Sequence, residues 1–505
     1  MTEPTAAPAQ APPPPRLPAL ADRLRARYPL LALLAQDERE AVREVQLAAA
    51  AVQVAVEIAW AGRNDPVAIA LDALGRLTDG HPRALVLPGA QQLLQHPMMV
   101  RVLSETLTQL ERAGHSIVLV GPVLPEIAEL SRDLVVMRLP LPHRGELEPL
   151  VAAALRNAQG QLDAETFEGG VQALQGLSLS QARRALRRVR GRQPAEQLTE
   201  LRAEKRDLLA GTGVVEVVDA APVVGDIGGL DELKLWLGRQ KMALTRQARA
   251  YGLPMPRGVL LVGVQGCGKT LCAKAASQVL GLPLLRLDLG RLYTAAAVPD
   301  ENLRLALHVA EAMAPVVLWI DEIDKAFAGA ASGASEAGAR VFGSLLTWLG
   351  EQRNGVFVAA TANRLAHLPA ELMRKGRFDE TFFVDVPDQQ ARAEILAVAI
   401  GRSGRDARMW DLERMAKSSD KLTGAEIEQA FAEAMQVAFC AHREPTTADV
   451  ETVLAKVVPF VDTYDAQVRE LRQWAKRHCR NGAKDRSLSE LFASARDGQV
   501  PPRKG

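Results

Sequence analysis

Residues 259–270 read Val259-Leu260-Leu261-Val262-Gly263-Val264-Gln265-Gly266-Cys267-Gly268-Lys269-Thr270, and no other stretch restricts the fold as strongly. The branched apolar run suits a strand buried on both faces. The glycines then permit a tight turn in backbone conformations closed to most side chains. A helix is expected to open at Leu271. A strand, a glycine turn and a helix in that order make half of a βαβ unit. The expectation is therefore an α/β fold with a doubly wound parallel sheet.

The same turn carries chemistry. Glycine-rich backbone lets N–H groups wrap phosphate oxygens, and a helix N-terminus adds positive potential. Gly263, Val264, Gln265, Gly266, Cys267, Gly268, Lys269, Thr270 and Leu271 are expected to bind nucleotide. Lys269 would reach the β- and γ-phosphates, and the Thr270 hydroxyl would meet Mg2+. An ordinary glycine-rich turn is the plain alternative.

Further parts follow in order. The apolar run Val316-Val317-Leu318-Trp319-Ile320 ends in Asp321-Glu322. Asp321 would hold Mg2+ through water, and Glu322 would polarise an attacking water as general base. A pair of solvated acids opening a helix would look the same locally. Asn363 closes the next apolar run in Thr361-Ala362-Asn363. Its amide would orient water beside the γ-phosphate, unless it is a simple turn asparagine. Arg374-Lys375-Gly376-Arg377-Phe378-Asp379 comes next. The ordered set implies binding and hydrolysis of ATP with Mg2+.

Composition sets outer bounds. A chain of 505 residues exceeds one ordinary core, so two or more domains are expected. Apolar content of 48% with 24% charge describes a soluble globular chain, not a disordered one. A net charge of +1 gives no general pull toward nucleic acid or acidic membranes. Four cysteines without metal-ligand spacing fit a reducing, cytoplasmic setting. The Pro/Ala-rich N-terminus to residue 18 reads as a flexible tail without the apolar segment of a secretory leader. Residues 45–60 read as one core helix with Gln46, Gln53 and Glu57 on a polar stripe, not a membrane span.

Helical patterns dominate residues 20–76, and short strand-like runs follow at 84–87, 117–120 and 134–137. Helices run on to 210, and residues 211–225, with Gly211-Thr212-Gly213, read as a linker. An α/β block is expected over 226–388, a helical lid over 389–460, and a helical extension with a tail over 461–505. The halves share a plan. Leu139-Pro140-Leu141-Pro142 precedes Leu177-Ser178-Leu179-Ser180 by about 40 residues, as Val386-Pro387-Asp388 precedes Leu422-Thr423-Gly424-Ala425-Glu426. The first half lacks the Gly-Lys turn and has Pro88-Gly89 where Asp-Glu would stand. Residues 19–210 are thus expected to be a degenerate copy of the second half, although any two α/β domains share such spacing.

Residues 222–460 resemble an AAA+ ATPase module, and 361–388 resemble the second region of homology of the AAA clade. The resemblance implies that Asp226, Ile227 and Gly228, in Asp226-Ile227-Gly228-Gly229-Leu230, lie along the adenine. It makes Asn363 the sensor 1 residue. Arg374 and Arg377 become arginine fingers that enter a neighbouring subunit's site. Gly424 and Ala425 become the small-residue turn of the lid beside the adenine. The segments Leu318-Trp319-Ile320-Asp321-Glu322-Ile323-Asp324-Lys325 and Arg340-Val341-Phe342-Gly343-Ser344-Leu345 resemble one subfamily, first noted as a hypothetical chloroplast open reading frame. Its members also carry a degenerate N-terminal half.

The resemblance implies a homo-oligomeric ring, expected to be a hexamer, acting on a protein partner. Two other roles stay open: a nucleotide-gated scaffold, or an ATPase associated with nucleic acid. Tyr293 is the single aromatic where ring translocases place a pore loop, or else it packs in the core. Arg183, Arg184, Arg187, Arg188, Arg190 and Arg192 would grip phosphates, or face solvent or another subunit. Residues 328–339 read as a mobile loop. The helix around 470–480, with Trp474, would dock on a neighbour or on its own lid.

Overall fold

The computed structural model describes residues 15–60, 65–78, 81–125, 127–155, 163–210, 214–218, 228–293, 299–325, 336–351, 355–364 and 368–483. The chain divides into two compact units between Lys205 and Arg206.

The first unit is built on strands β1 (Leu30–Leu34), β2 (Ala55–Ile58), β3 (Arg83–Pro88), β4 (Ser116–Gly121) and β5 (Leu134–Arg138). They form a parallel sheet in the order β2-β3-β4-β1-β5. Side chains alternate between its faces. Leu30, Ala32, Leu85, Leu87, Ile117 and Leu119 pack on Met99, Leu103 and Leu107 of helix Pro97–Ala113. Leu31, Leu33, Ala84, Val86, Val118 and Val120 pack on Val42, Val45 and Ala48 of helix Glu38–Ala51. Two apolar faces explain why the central strands β1, β3 and β4 are continuous apolar runs.

One expectation is incomplete here and another fails. Residues 20–76 contain β1 and β2 as well as helices. The run Leu30-Leu31-Ala32-Leu33-Leu34 suits a buried helix as well as a strand, and its pairing with β4 and β5 decides. Residues 45–60 are not one helix. The helix ends at Ala51, Gln53 takes a left-handed φ of 58°, and β2 begins at Ala55. Glu57 then pairs with Arg76 at 3.3 Å rather than sharing a face with Gln46.

The second unit holds β6 (Val215–Val218), β7 (Gly258–Gly263), β8 (Leu284–Leu287), β9 (Val316–Ile320), β10 (Val356–Ala362), β11 (Glu380–Val384) and β12 (Arg480–Asn481). Their order is β12-β11-β7-β10-β9-β8-β6. Its central run β8-β9-β10-β7-β11 repeats the order of the first sheet strand for strand. β6 lies inside the stretch expected to be linker. Its Val-rich sequence pairs antiparallel with β8, so part of that stretch belongs to the sheet. Residues 1–14, 211–213, 219–225 and 484–505 lie outside the described residues.

Helices Asp231–Ala243 and Lys269–Leu280 cover one face through Trp236, Leu237, Cys272 and Ala276, which meet Leu261, Trp319, Phe357 and Phe382. Four further helices, Gln389–Arg402, Leu412–Ser418, Gly424–Cys440 and Thr447–Leu454, form a lid with its own core of Leu396, Met415, Ile427, Phe431 and Val450. No helix among the described residues is long and apolar enough to cross a membrane. β7, β9, β10 and β11 run parallel, so their carboxyl ends share one edge of the sheet. Paired residues that stand 40, 100 and 121 positions apart in sequence (Val316 with Val356, Gly258 with Val358, Val259 with Glu380) meet there for that reason alone.

Candidate nucleotide site

The turn after β7 depends on glycine at two positions for different reasons. A Cβ at Gly263 would stand 2.0 Å from the Val384 carbonyl oxygen, so only glycine lets β7 lie this close to β11. Gly268 has φ 86° and precedes helix Lys269–Leu280, a conformation that strains other residues. The helix opens at Lys269, two residues before Leu271.

The Lys269 ammonium donates to the carbonyls of Gly263 at 2.9 Å and Val264 at 2.7 Å. Burial lowers its pKa to about 8. Burial likewise pushes the Cys267 thiol up to about 12, so it stays protonated at neutral pH. Nothing anionic on the turn competes with a phosphate.

The ends of β9 and β10 bring a polar cluster to the same edge. Thr361 donates to Asp321 Oδ1 at 2.6 Å and accepts the Glu322 N–H at 2.9 Å. Thr270 donates to the same Asp321 oxygen at 3.4 Å. Asn363 donates to Glu322 Oε1 at 3.1 Å, and Lys325 meets Oε2 at 2.5 Å. Glu322 holds a left-handed φ of 49°, a strain that its partners on β10 and Lys325 hold in place. Asp324 accepts the N–H groups of Asn363 at 3.2 Å and Arg364 at 3.1 Å, which fixes the loop after β10.

These groups border a cavity of about 640 Å3, a size that suits a small cofactor. Its lining includes Gly228, residues 265–271, Asp321, Glu322, Asn363, Gly424 and Ala425. Gly263 and Val264 do not line it; their carbonyls hold Lys269 instead. Asp226 and Ile227 lie outside the described residues. Gly424 and Ala425 open helix Gly424–Cys440, and the Ala425 N–H donates to the Gly266 carbonyl at 3.1 Å. Arg374 and Arg377 are not among the lining residues. They sit on a loop whose end is fixed by Asp379, which accepts the N–H groups of Arg257 at 2.7 Å and Gly258 at 2.9 Å.

The donor set fits Mg2+ bound with a nucleotide. Thr270 and Asp321 offer hard oxygens side by side, and such an ion completes its shell with phosphate oxygens and water. Among the described residues no group of three or more His, Cys, Asp or Glu side chains would hold a metal without such help.

Sequence reasoning assigned no role to Thr361, Asp324, Asp385 or Asn481. Thr361 was findable: a strand period of two puts it on the same side as Asn363. Tyr293, in the short turn Arg291–Tyr293, is 43% exposed and so is not a core residue, while 294–298 lie outside the described residues. Of the six arginines at 183–192, Arg188 pairs with Glu204 and Arg192 with Glu200. Most of the loop expected at 328–339 lies outside the described residues, and helix Glu336–Gly350 takes the rest.

Comparison with known proteins agrees with this geometry. Residues 259–386 match the family described as "ATPase family associated with various cellular activities (AAA)". Residues 18–139 match "SpoVK-like AAA ATPase, N-terminal domain". The chain belongs to the AAA ATPase family, whose general activity is ATP hydrolysis. Within the family it is 36% identical to an "Uncharacterized AAA domain-containing protein ycf46" of Guillardia theta, over 80% of this chain and 81% of that protein. It is 35% identical to the protein of that description in Pyropia yezoensis, over 81% of this chain and 84% of the other. A "Cell division control protein 48 homolog B" of Arabidopsis thaliana is 34% identical over 40% of this chain and 35% of its own length.

Proposed function

We propose that this protein is a Mg2+-dependent ATPase that works in a ring of its own copies and uses ATP to remodel or regulate a protein partner. The observation that carries the reading is the meeting of Lys269, Thr270, Asp321, Glu322 and Asn363 around one cavity at the carboxyl edge of one sheet. Lys269 would leave its two carbonyls for the β- and γ-phosphates. Thr270 and Asp321 would hold Mg2+, which would supply positive charge to offset that of the phosphates. Glu322 would take a proton from the attacking water, and Asn363, already bonded to Glu322, would orient that water. Gly228, with Asp226 and Ile227, would border the adenine on one side, and Gly424 with Ala425 on the other.

Arg374 and Arg377 stand outside this cavity, which supports a role in a neighbouring copy's site. There they would neutralise charge that develops on the γ-phosphate. The test is ATP turnover per subunit against protein concentration. Turnover should climb steeply as subunits assemble, and Glu322→Gln should cut it by about a hundredfold or more while ATP still binds. Tight binding with negligible turnover at every concentration would sink the ATPase reading. It would favour a nucleotide-gated scaffold, a reading that draws support from the engagement of both Glu322 carboxylate oxygens.

A further inference from the structure

After the lid, the chain returns to the sheet. The Phe460 N–H donates to Glu426 of the lid at 2.8 Å, and Asp462 pairs with Lys421 at 3.1 Å. Helix Asp465–His478 then buries Val468, Leu471 and Ala475, spaced three and four apart on one side. From this helix Arg472 grips Asp385, just beyond β11, with Nε to Oδ2 at 2.8 Å and Nη2 to Oδ1 at 2.9 Å. Two parallel bonds of this kind fix orientation as well as distance.

The chain next adds β12 to the free side of β11, with Arg480 opposite Phe382 and Asn481 opposite Phe383. Arg480 donates to Glu232 at 3.1 Å and lies 5.8 Å from the Phe382 ring centre. Gly482 donates to the Phe383 carbonyl at 3.0 Å and accepts the Leu233 N–H at 3.4 Å. This places Asn481 and Ala483 in the wall of the nucleotide cavity, beside Leu230 and Asp231. The segment is therefore tied to the lid at one end and to the sheet at the other, with the cavity between.

We propose that residues 460–483 are a strap that forms an integral wall of the nucleotide cavity, and that Asn481 contacts the nucleoside end of the ligand. The proposal rests on the nucleotide reading above. The Asn481 carbonyl oxygen accepts the Ala483 N–H at 3.2 Å, so its amino group is the polar end offered to a ligand. An N–H donor suits the ring nitrogens of a purine or a ribose oxygen. Linkage makes the effect reciprocal. If the docked strap tightens nucleotide binding, bound nucleotide tightens strap docking by the same factor.

The test uses the full chain, a fluorescent ADP analogue, inorganic tripolyphosphate as competitor, and amide hydrogen exchange. Tripolyphosphate carries no nucleoside and reads the Lys269 end alone. In the wild type, ADP should slow exchange over 468–483. Asn481→Ala should weaken ADP by about three- to tenfold and leave tripolyphosphate unchanged. Arg480→Ala, outside the cavity lining, should speed strap exchange and weaken ADP as well.

ADP binding that stays within twofold in both variants, with no change in strap exchange, would overturn the strap. Equal loss of ADP and tripolyphosphate in Asn481→Ala would overturn the nucleoside contact. A wild type that binds neither ligand would instead overturn the nucleotide reading itself.

Discussion

The Lys269 ammonium is shared by the carbonyls of Gly263 and Val264, and burial lowers its pKa to about 8. Phosphate would favour the charged form and raise that pKa in the complex. Above pH 8 binding must therefore take up a proton, whereas below it the lysine is charged beforehand. Nucleotide affinity should be flat from pH 6.5 to 7.5. It should then fall by up to about tenfold per pH unit above 8. A titration of ADP binding from pH 6.5 to 9.5 reads this directly, and a flat profile throughout would mean that Lys269 stays charged. At this scale most of the site was legible in the sequence, because glycine turns and strand-end acids sit in short, ordered strings. Glu322's left-handed backbone and its bonds to Thr361 and Asn363 were not legible, since they depend on how β9 and β10 end side by side.

Among the elements, helix Gly424–Cys440 shows local sequence serving the site. Thr423 accepts the Glu426 N–H at 3.3 Å, and Glu426 accepts the Thr423 N–H at 2.7 Å, a reciprocal cap. The capped turn faces Gly266. Thr423→Ala should cost the helix start about 1 kcal/mol, read as a roughly fivefold loss of exchange protection in its first turn. Unchanged protection would mean that the lid's packing, not the cap, holds this end. The Thr-x-x-Glu string stands in the sequence, but spacing and resemblance gave it no capping role. β1, β2 and β6 were not visible as strands. A five-residue apolar run and two four-residue runs lack a distinguishing period, and only neighbouring strands make them sheet.

Taken whole, each unit repeats one strand order, but only the second carries the Gly-Lys turn and the Asp-Glu pair. If turnover needs a neighbour's arginine, Arg374→Ala should bind ATP normally and lose at least about tenfold in turnover. Mixing it with Lys269→Ala should then recover part of the activity, because each variant supplies what the other lacks. No recovery on mixing, with both variants assembled, would rule out action between copies. The sequence alone determined the local and periodic features: the phosphate turn, the buried strands that flank it, the lid's capped helices and the repeated plan. The tertiary structure decided the long-range pairings. Arg472 meets Asp385 across 87 residues, and Arg480 meets Glu232 across 248. Periodicity and turn chemistry act over a few residues, so they cannot say which distant strand edge a returning segment will cover. That choice falls to the whole sheet, whose free edge beside β11 gains a strand and whose cavity gains a wall.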